Sequence, residues 1–172
     1  VVKKLKSLAL RGFLFTPPLL IMEYYFAYGS LMDLHFMKSL GVRYENPQSG
    51  KLFGYDFQVN VMDSFNRNYG YANVTLNNET HVEGILVEIP KIDLALLDAY
   101  EGYPELYSRR KLNIQCSGEN KKLESWVYLG NLNCISKRNL KLSIIQKERI
   151  KEGFEFLSEG YQKKLLNLMS EE

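Results

Sequence analysis

From residue 22 onward, apolar and polar positions fall in short runs rich in aromatic and β-branched side chains, each bounded by Gly, Asn or Pro. Strands of a sheet or barrel read this way, because such side chains pack well on a pleated, half-buried surface. "EYYFAYGS" opens the series as a strand running out at Gly29, and "LHFMKSLG" follows as a short helix closed by Gly41, where a left-handed residue is cheap. Further strands are predicted over residues 51 to 60, 71 to 76, 82 to 89, 107 to 115 and 123 to 129. "FNRNYG" and "LNNET" between them are turn chemistry, and "CSGENKK" is a hairpin loop. One helix interrupts the strands at Ile92 to Tyr100, with Pro90 near its first turn and Leu94 and Leu97 at helical spacing; continuing that spacing puts Glu101 on the same face. The tail from Leu142 to Met169 reads as helical, with Ile150, Phe154 and Leu157 on one stripe, a break at Gly160, and Leu165 and Leu168 on a second short helix. Strands with helices set between and after them predict an α+β fold rather than a doubly wound parallel sheet.

Length and charge narrow the picture. The 172 residues suit one domain, and 45% hydrophobic content with 13% aromatics supplies a sizeable core. With 22 basic and 20 acidic residues the net charge is +2, which gives no electrostatic footprint for nucleic acid or an anionic membrane, so the expected partner is a small molecule. Cys116 and Cys134 lack CxxC spacing, and His35 and His81 are the only histidines, so a structural zinc site is not expected. The cysteines read as free thiols in a reducing cytoplasm. Residues 1–21 stand apart: three lysines before an apolar run resemble a secretory signal, but Arg11 breaks the run, Pro17 and Pro18 follow, and no small-residue cleavage site precedes Met22. They read as an extension ahead of a functional start at Met22, and the domain as residues 22–172.

Two constellations carry candidate chemistry. Tyr28, Gly29, Ser30 and Leu31 lie where a strand runs out and a helix begins, and consecutive amides there can cradle a carboxylate or an oxyanion. An ordinary turn with Ser30 or Asp33 as helix N-cap explains the same residues. The second is "LDAYEGYPELYSRR". If Glu101 faces inward beside Leu94 and Leu97, desolvation raises its pKa toward that of a general acid or base working near neutrality. Against this stand a Glu101 paired with Arg109 or Arg110, or one simply solvated. Asp98 and Glu105 compete, but Asp98 lies a quarter-turn off the leucine stripe and Glu105 in a turn, so both are expected in solvent. Tyr107 and Arg109 share one strand face and, with Tyr128 in "WVYLG", offer hydroxyl and guanidinium groups that either bind a substrate carboxylate or simply pack. No phosphate loop or dinucleotide fingerprint occurs.

"YFAYGSLM", "YANVTL", "VEGILVEI", "LDAYEGYPELYSRR" and "WVYLGN", in that order over about residues 22 to 130, resemble the gamma-glutamyl cyclotransferase and AIG2-like family, and "IKEGFEFLSEGYQKKLLNL" is similar to the helical tail of several members. The resemblance implies a small mixed β-barrel of about five to seven strands flanked by short helices, with the YGSL loop and Glu101 meeting at a cavity. It implies cofactor-free release of 5-oxoproline from a gamma-glutamyl amino acid or amine, with Glu101 catalytic and Tyr28, Gly29, Ser30, Leu31, Tyr107, Arg109 and Tyr128 binding substrate, in a cytoplasmic monomer or homodimer. The alternative is a non-catalytic AIG2-like domain that binds a small metabolite. Glu101, Pro104, Leu106, Tyr107 and Arg109 look closer to the gamma-glutamylamine branch, whereas Gly102 and the long tail look closer to the gamma-glutamyl amino acid and bacterial members, so the leaving group stays open.

Overall fold

The computed structural model describes residues 20–118, 121–138 and 140–170; the predicted extension up to residue 19 lies outside them. Five strands close into a barrel: β1 (Met22–Ala27), β2 (Glu45–Met62), β3 (Gly70–Pro90), β4 (Tyr107–Cys116) and β5 (Lys122–Gly130), in spatial order β1-β3-β2-β4-β5. All ladders are antiparallel except the β1–β5 seam, which closes the barrel in parallel through Tyr25 and Trp126. Closure leaves no open sheet edge at that seam, and the core packs on both faces of the wall: Phe26, Phe57, Val61, Ile85, Val87, Ile114 and Val127 are each at most 1% exposed, and Ile85 and Val87, in register with Ala27 and Tyr25, face the side opposite Phe26.

The α+β class and the mixed barrel are as expected, while two local expectations change. Residues 71 to 76 and 82 to 89 belong to one strand, not two. Phe53 pairs with His81 and Tyr55 with Leu76, so Asn77 to Thr80 all oppose Gly54. The turn chemistry of "LNNET" is spent on this bulge, where Asn77 caps the Glu79 amide and the Thr80 hydroxyl donates to the Tyr55 carbonyl at 2.7 Å. The tail breaks before Gly160, not at it. α3 (Ile144–Glu152) ends at Gly153, a short 3-10 turn follows, and α4 (Glu159–Ser170) has Gly160 in its first turn. The stripe that docks on the barrel is Ile150, Leu157, Tyr161, Leu165 and Met169, whereas Phe154 and Leu168 are only partly buried.

The remaining helices, α1 (Leu34–Ser39) and α2 (Leu94–Glu101), sit after β1 and β3. Asp33 caps α1, its carboxylate accepting from the Phe36 amide at 2.8 Å, while Ser30 begins a 3-10 turn ahead of it. No helix among the described residues is long and apolar enough to cross a membrane. The tail is fastened at Glu83 of β3, which is 4% exposed; its carboxylate accepts from the Ser158 amide at 2.7 Å and hydroxyl at 2.9 Å, and pairs with Lys51 at 2.8 Å.

Candidate active site

At one end of the barrel, β1, α2, the start of β4 and the first turn of α3 enclose a cavity of about 300 Å³. Glu101 projects into it from the last turn of α2. The helical phase anticipated from the leucines holds: Leu94 and Leu97 are 5% and 0% exposed and anchor the face to which Glu101 belongs. The helix stops immediately afterwards because Gly102 takes a left-handed conformation, φ 64°. A side chain at 102 would be strained there, and its Cβ would lie 3.1 Å from that of Leu106.

Glu101 forms no hydrogen bond or ion pair among the described residues. Arg109, one partner considered for it, turns instead to Asp98, and Arg110 is exposed. Glu101 is half-buried in the cavity wall, and burial of its carboxyl pushes the pKa from 4.5 up to about 8. Around it stand Tyr25, Tyr28 and Tyr107, whose pKa values are raised well above normal, first by burial and also by the Glu101 charge. These phenols stay protonated and act as neutral polar walls.

The YGSL loop forms the facing wall. Tyr28, Gly29, Ser30 and Leu31 all line the cavity. Gly29 is required by close packing: a Cβ there would approach the Ala72 Cβ to 3.0 Å. As the first residues of a 3-10 turn, Ser30 and Leu31 have amides with no partner in their own turn.

The structure sorts the proposed binding residues. Tyr28 and Tyr107 line the cavity with their rings, but their hydroxyls donate to the carbonyls of Tyr128 at 2.7 Å and Ala72 at 2.6 Å. Arg109 and Tyr128 are not among the lining residues. The Tyr128 hydroxyl donates to Asp98 Oδ1 at 2.7 Å, and Arg109 Nη1 lies 3.3 Å from the same oxygen, with the guanidinium over Trp126. Asp98 is therefore a paired, mostly buried group rather than the solvated one expected, because a quarter-turn off the leucine stripe faces β5. Glu105 is exposed, as expected.

Sequence reasoning missed Tyr25, Tyr71, Tyr100 and Gln146, which also line the cavity. Tyr25 precedes Tyr28 in the "YFAYGS" stretch, and among the described residues its hydroxyl makes no hydrogen bond, so it is a free donor where Tyr28 and Tyr107 are not. Gln146 lies in the tail, and its only sequence signal is the capping box it forms with Ser143.

The fold agrees with comparisons to known proteins. The family model described as "Gamma-glutamyl cyclotransferase, AIG2-like" matches residues 25–149. This chain belongs to that family. Among solved structures it is similar to a gamma-glutamyl cyclotransferase (TM-score 0.71, 19% identity, 85% of this chain and 87% of that one). It is also similar to an uncharacterized protein from Homo sapiens (TM-score 0.69, 20% identity, 84% and 86%). A third similar structure is YkqA from Bacillus subtilis (TM-score 0.73, 25% identity), where 87% of this chain covers 55% of the other, so the chain spans about half of that protein. No curated protein matches in sequence.

Proposed function

We propose that this protein is a cyclotransferase that releases 5-oxoproline from a gamma-glutamyl amino acid or gamma-glutamyl amine, with Glu101 as general acid and base. The observation that carries the reading is a single carboxylate in the wall of the cavity, unpaired among the described residues, its pKa raised to about 8 by desolvation. A peptide α-amine titrates at about 8, and one beside a free carboxylate, as in a gamma-glutamyl group, titrates higher, so a carboxyl raised to about 8 is a far closer proton partner for it than an ordinary carboxyl would be.

The reaction follows from that match. Glu101 takes a proton from the α-ammonium of the bound gamma-glutamyl group. The freed amine attacks the side-chain amide carbonyl of the same molecule, closing a five-membered ring with a negative charge on the carbonyl oxygen. The loop amides of Ser30 and Leu31 are the donors available to that oxygen or to the substrate α-carboxylate. Collapse of the intermediate breaks the bond to the leaving amine, which receives the proton that Glu101 holds, and the regenerated Glu101 carboxylate takes the second proton from the ring nitrogen and passes it to the departing amine. Because the substrate brings its own nucleophile, the protein contributes a shaped cavity and one proton carrier, and no covalent enzyme intermediate is required.

The test is 5-oxoproline release, followed by mass spectrometry, from a panel of gamma-glutamyl amino acids and gamma-glutamyl amines. Product from wild type and none from Glu101→Gln supports the reading. Equal turnover by the variant removes Glu101 from the chemistry, and absence of product with every compound favours the metabolite-binding alternative.

A further inference from the structure

We infer that Gln146 reads the leaving group and selects substrates whose leaving portion carries a carboxylate or other hydrogen-bond acceptor, that is, gamma-glutamyl amino acids or peptides rather than simple gamma-glutamyl amines. The inference rests on the cyclotransferase reading for the identity of the ligand, and on the geometry of α3 for the discrimination.

Gln146 is the third residue of α3, and its main-chain and side-chain groups are both engaged with the N-cap: its amide donates to Ser143 Oγ at 3.3 Å, and its Oε1 accepts from the Ser143 amide at 2.8 Å. Because the Ser143 N–H can only donate, the side-chain oxygen must face the cap, which fixes the orientation of the planar carboxamide. The opposite end, Nε2, makes no hydrogen bond among the described residues, and the residue lines the cavity. An otherwise adaptable side chain is thereby turned into a donor only. A pair of N–H groups accepts nothing, so it favours a carboxylate or carbonyl and offers nothing to an ammonium.

Position supports the same assignment. Glu101 must meet the α-amine, and the loop amides meet an oxygen of the gamma-glutamyl group. Gln146 enters from the tail, on a third element; the Tyr71 and Tyr100 hydroxyls are engaged with Asp63 and with Ser30 and Arg149, so beside Tyr25, whose hydroxyl can both donate and accept, Gln146 is the lining side chain with a free donor for what lies beyond the scissile amide. Arg149, one turn further along α3, stands over the Phe36 ring and beside the Tyr100 hydroxyl, adding positive charge near that wall. Asp33, Glu148 and Glu152 share a neighbouring surface depression with Arg149 and moderate its field, so the discrimination falls mainly to Gln146.

Gln146→Glu is the informative variant. Glutamate at this position still completes a capping box, so α3 is retained, while the free end facing the cavity changes from donor to anionic acceptor. Binding is measured by calorimetry in the Glu101→Gln protein, which is expected to hold substrate without cleaving it, using gamma-glutamyl-alanine and gamma-glutamyl-ethylamine, whose leaving portion carries no acceptor. The carboxylate compound is expected to bind ~10-fold tighter than the ethylamine compound, as one charge-assisted hydrogen bond would give. Adding Gln146→Glu should abolish or reverse that preference. Equal affinities for the two compounds, a preference untouched by Gln146→Glu, or binding of neither compound would each overturn the inference. Release of 5-oxoproline by wild type is scored separately, so loss of the reaction and loss of the discrimination remain distinguishable.

Discussion

Replacing Glu101 by Gln should make the protein more stable while removing its activity, and the gain should grow with pH. In the unfolded chain Glu101 titrates at its ordinary 4.5, whereas in the folded protein burial holds it at about 8. A carboxyl group with a raised folded pKa binds protons more tightly when folded. Below pH 4.5 it is protonated in both states and contributes nothing. As pH climbs from 4.5 toward about 8, the unfolded chain releases a proton that the folded one keeps, and folding is penalised progressively. At about 1.4 kcal/mol per pH unit, the penalty is about 3 kcal/mol at pH 7 and no more than about 5 kcal/mol above pH 8. Water entering through the cavity lowers both figures. Since Glu101 makes no hydrogen bond or ion pair to lose among the described residues, Gln should relieve most of this. Urea unfolding of both proteins at about pH 4, 7 and 9, followed through the fluorescence of the single tryptophan, Trp126, measures the difference directly. The curves should nearly coincide at the acidic value and separate by roughly 2 kcal/mol or more at the alkaline one. A pH-independent difference, or a variant less stable than wild type at alkaline pH, would refute the desolvated carboxylate and with it the proton-transfer role.

Three further outcomes are expected. The pH profile of kcat/KM should rise with pH toward the folded pKa of about 8 and fall again where the free substrate's ammonium titrates, while that of kcat should level off at lower pH because the bound ammonium favours the carboxylate; a flat profile below neutrality would contradict a base role. Gly102→Ala should lower stability by about 1 kcal/mol through left-handed strain, and should lower kcat more than it raises KM because it displaces Glu101, which matched thermal melts and steady-state kinetics would show. Glu83→Gln should destabilise by about 2–3 kcal/mol at neutral pH. Burial alone would raise the Glu83 pKa, but bonds from Lys51, Ser158 and His81 outweigh it and hold the group at about 2 against an ordinary 4.5, so the loss should shrink as pH falls from 4.5 toward 2, checked by urea titrations at both ends of that window.

The parts of this site legible in the sequence are those governed by local geometry. Leu94 and Leu97 set the phase that turns Glu101 inward, and Gly102 marks where the helix has to stop. Tyr28 to Leu31 were recognisable because the transition from strand to turn is written in consecutive residues. What stayed hidden depends on partners far along the chain. The Tyr28 and Tyr107 hydroxyls are consumed by carbonyls 100 and 35 residues away, so nothing near either residue says that Tyr25 is the one left free. Asp98 looked solvated because its helical phase is off the core stripe, yet that phase delivers it to Tyr128 and Arg109 on neighbouring strands. Gln146 escaped notice for the opposite reason: its local role as a helix cap is complete in itself and does not announce a second use.

The cavity is walled by residues from both halves of the chain, with Tyr28 to Leu31 on one side and Gln146 on the tail that Glu83 and Ser158 fasten down. Stability need not be uniform across such a molecule, and the tail can open without the barrel melting. Opening admits bulk water to Glu101, returns its carboxyl toward ordinary acidity and removes the groups that surround substrate. Catalytic activity is therefore a gauge of tail docking: on warming, turnover should fade at lower temperature than the sheet signal in circular dichroism, and coincident loss of the two would mean that barrel and tail form one cooperative unit.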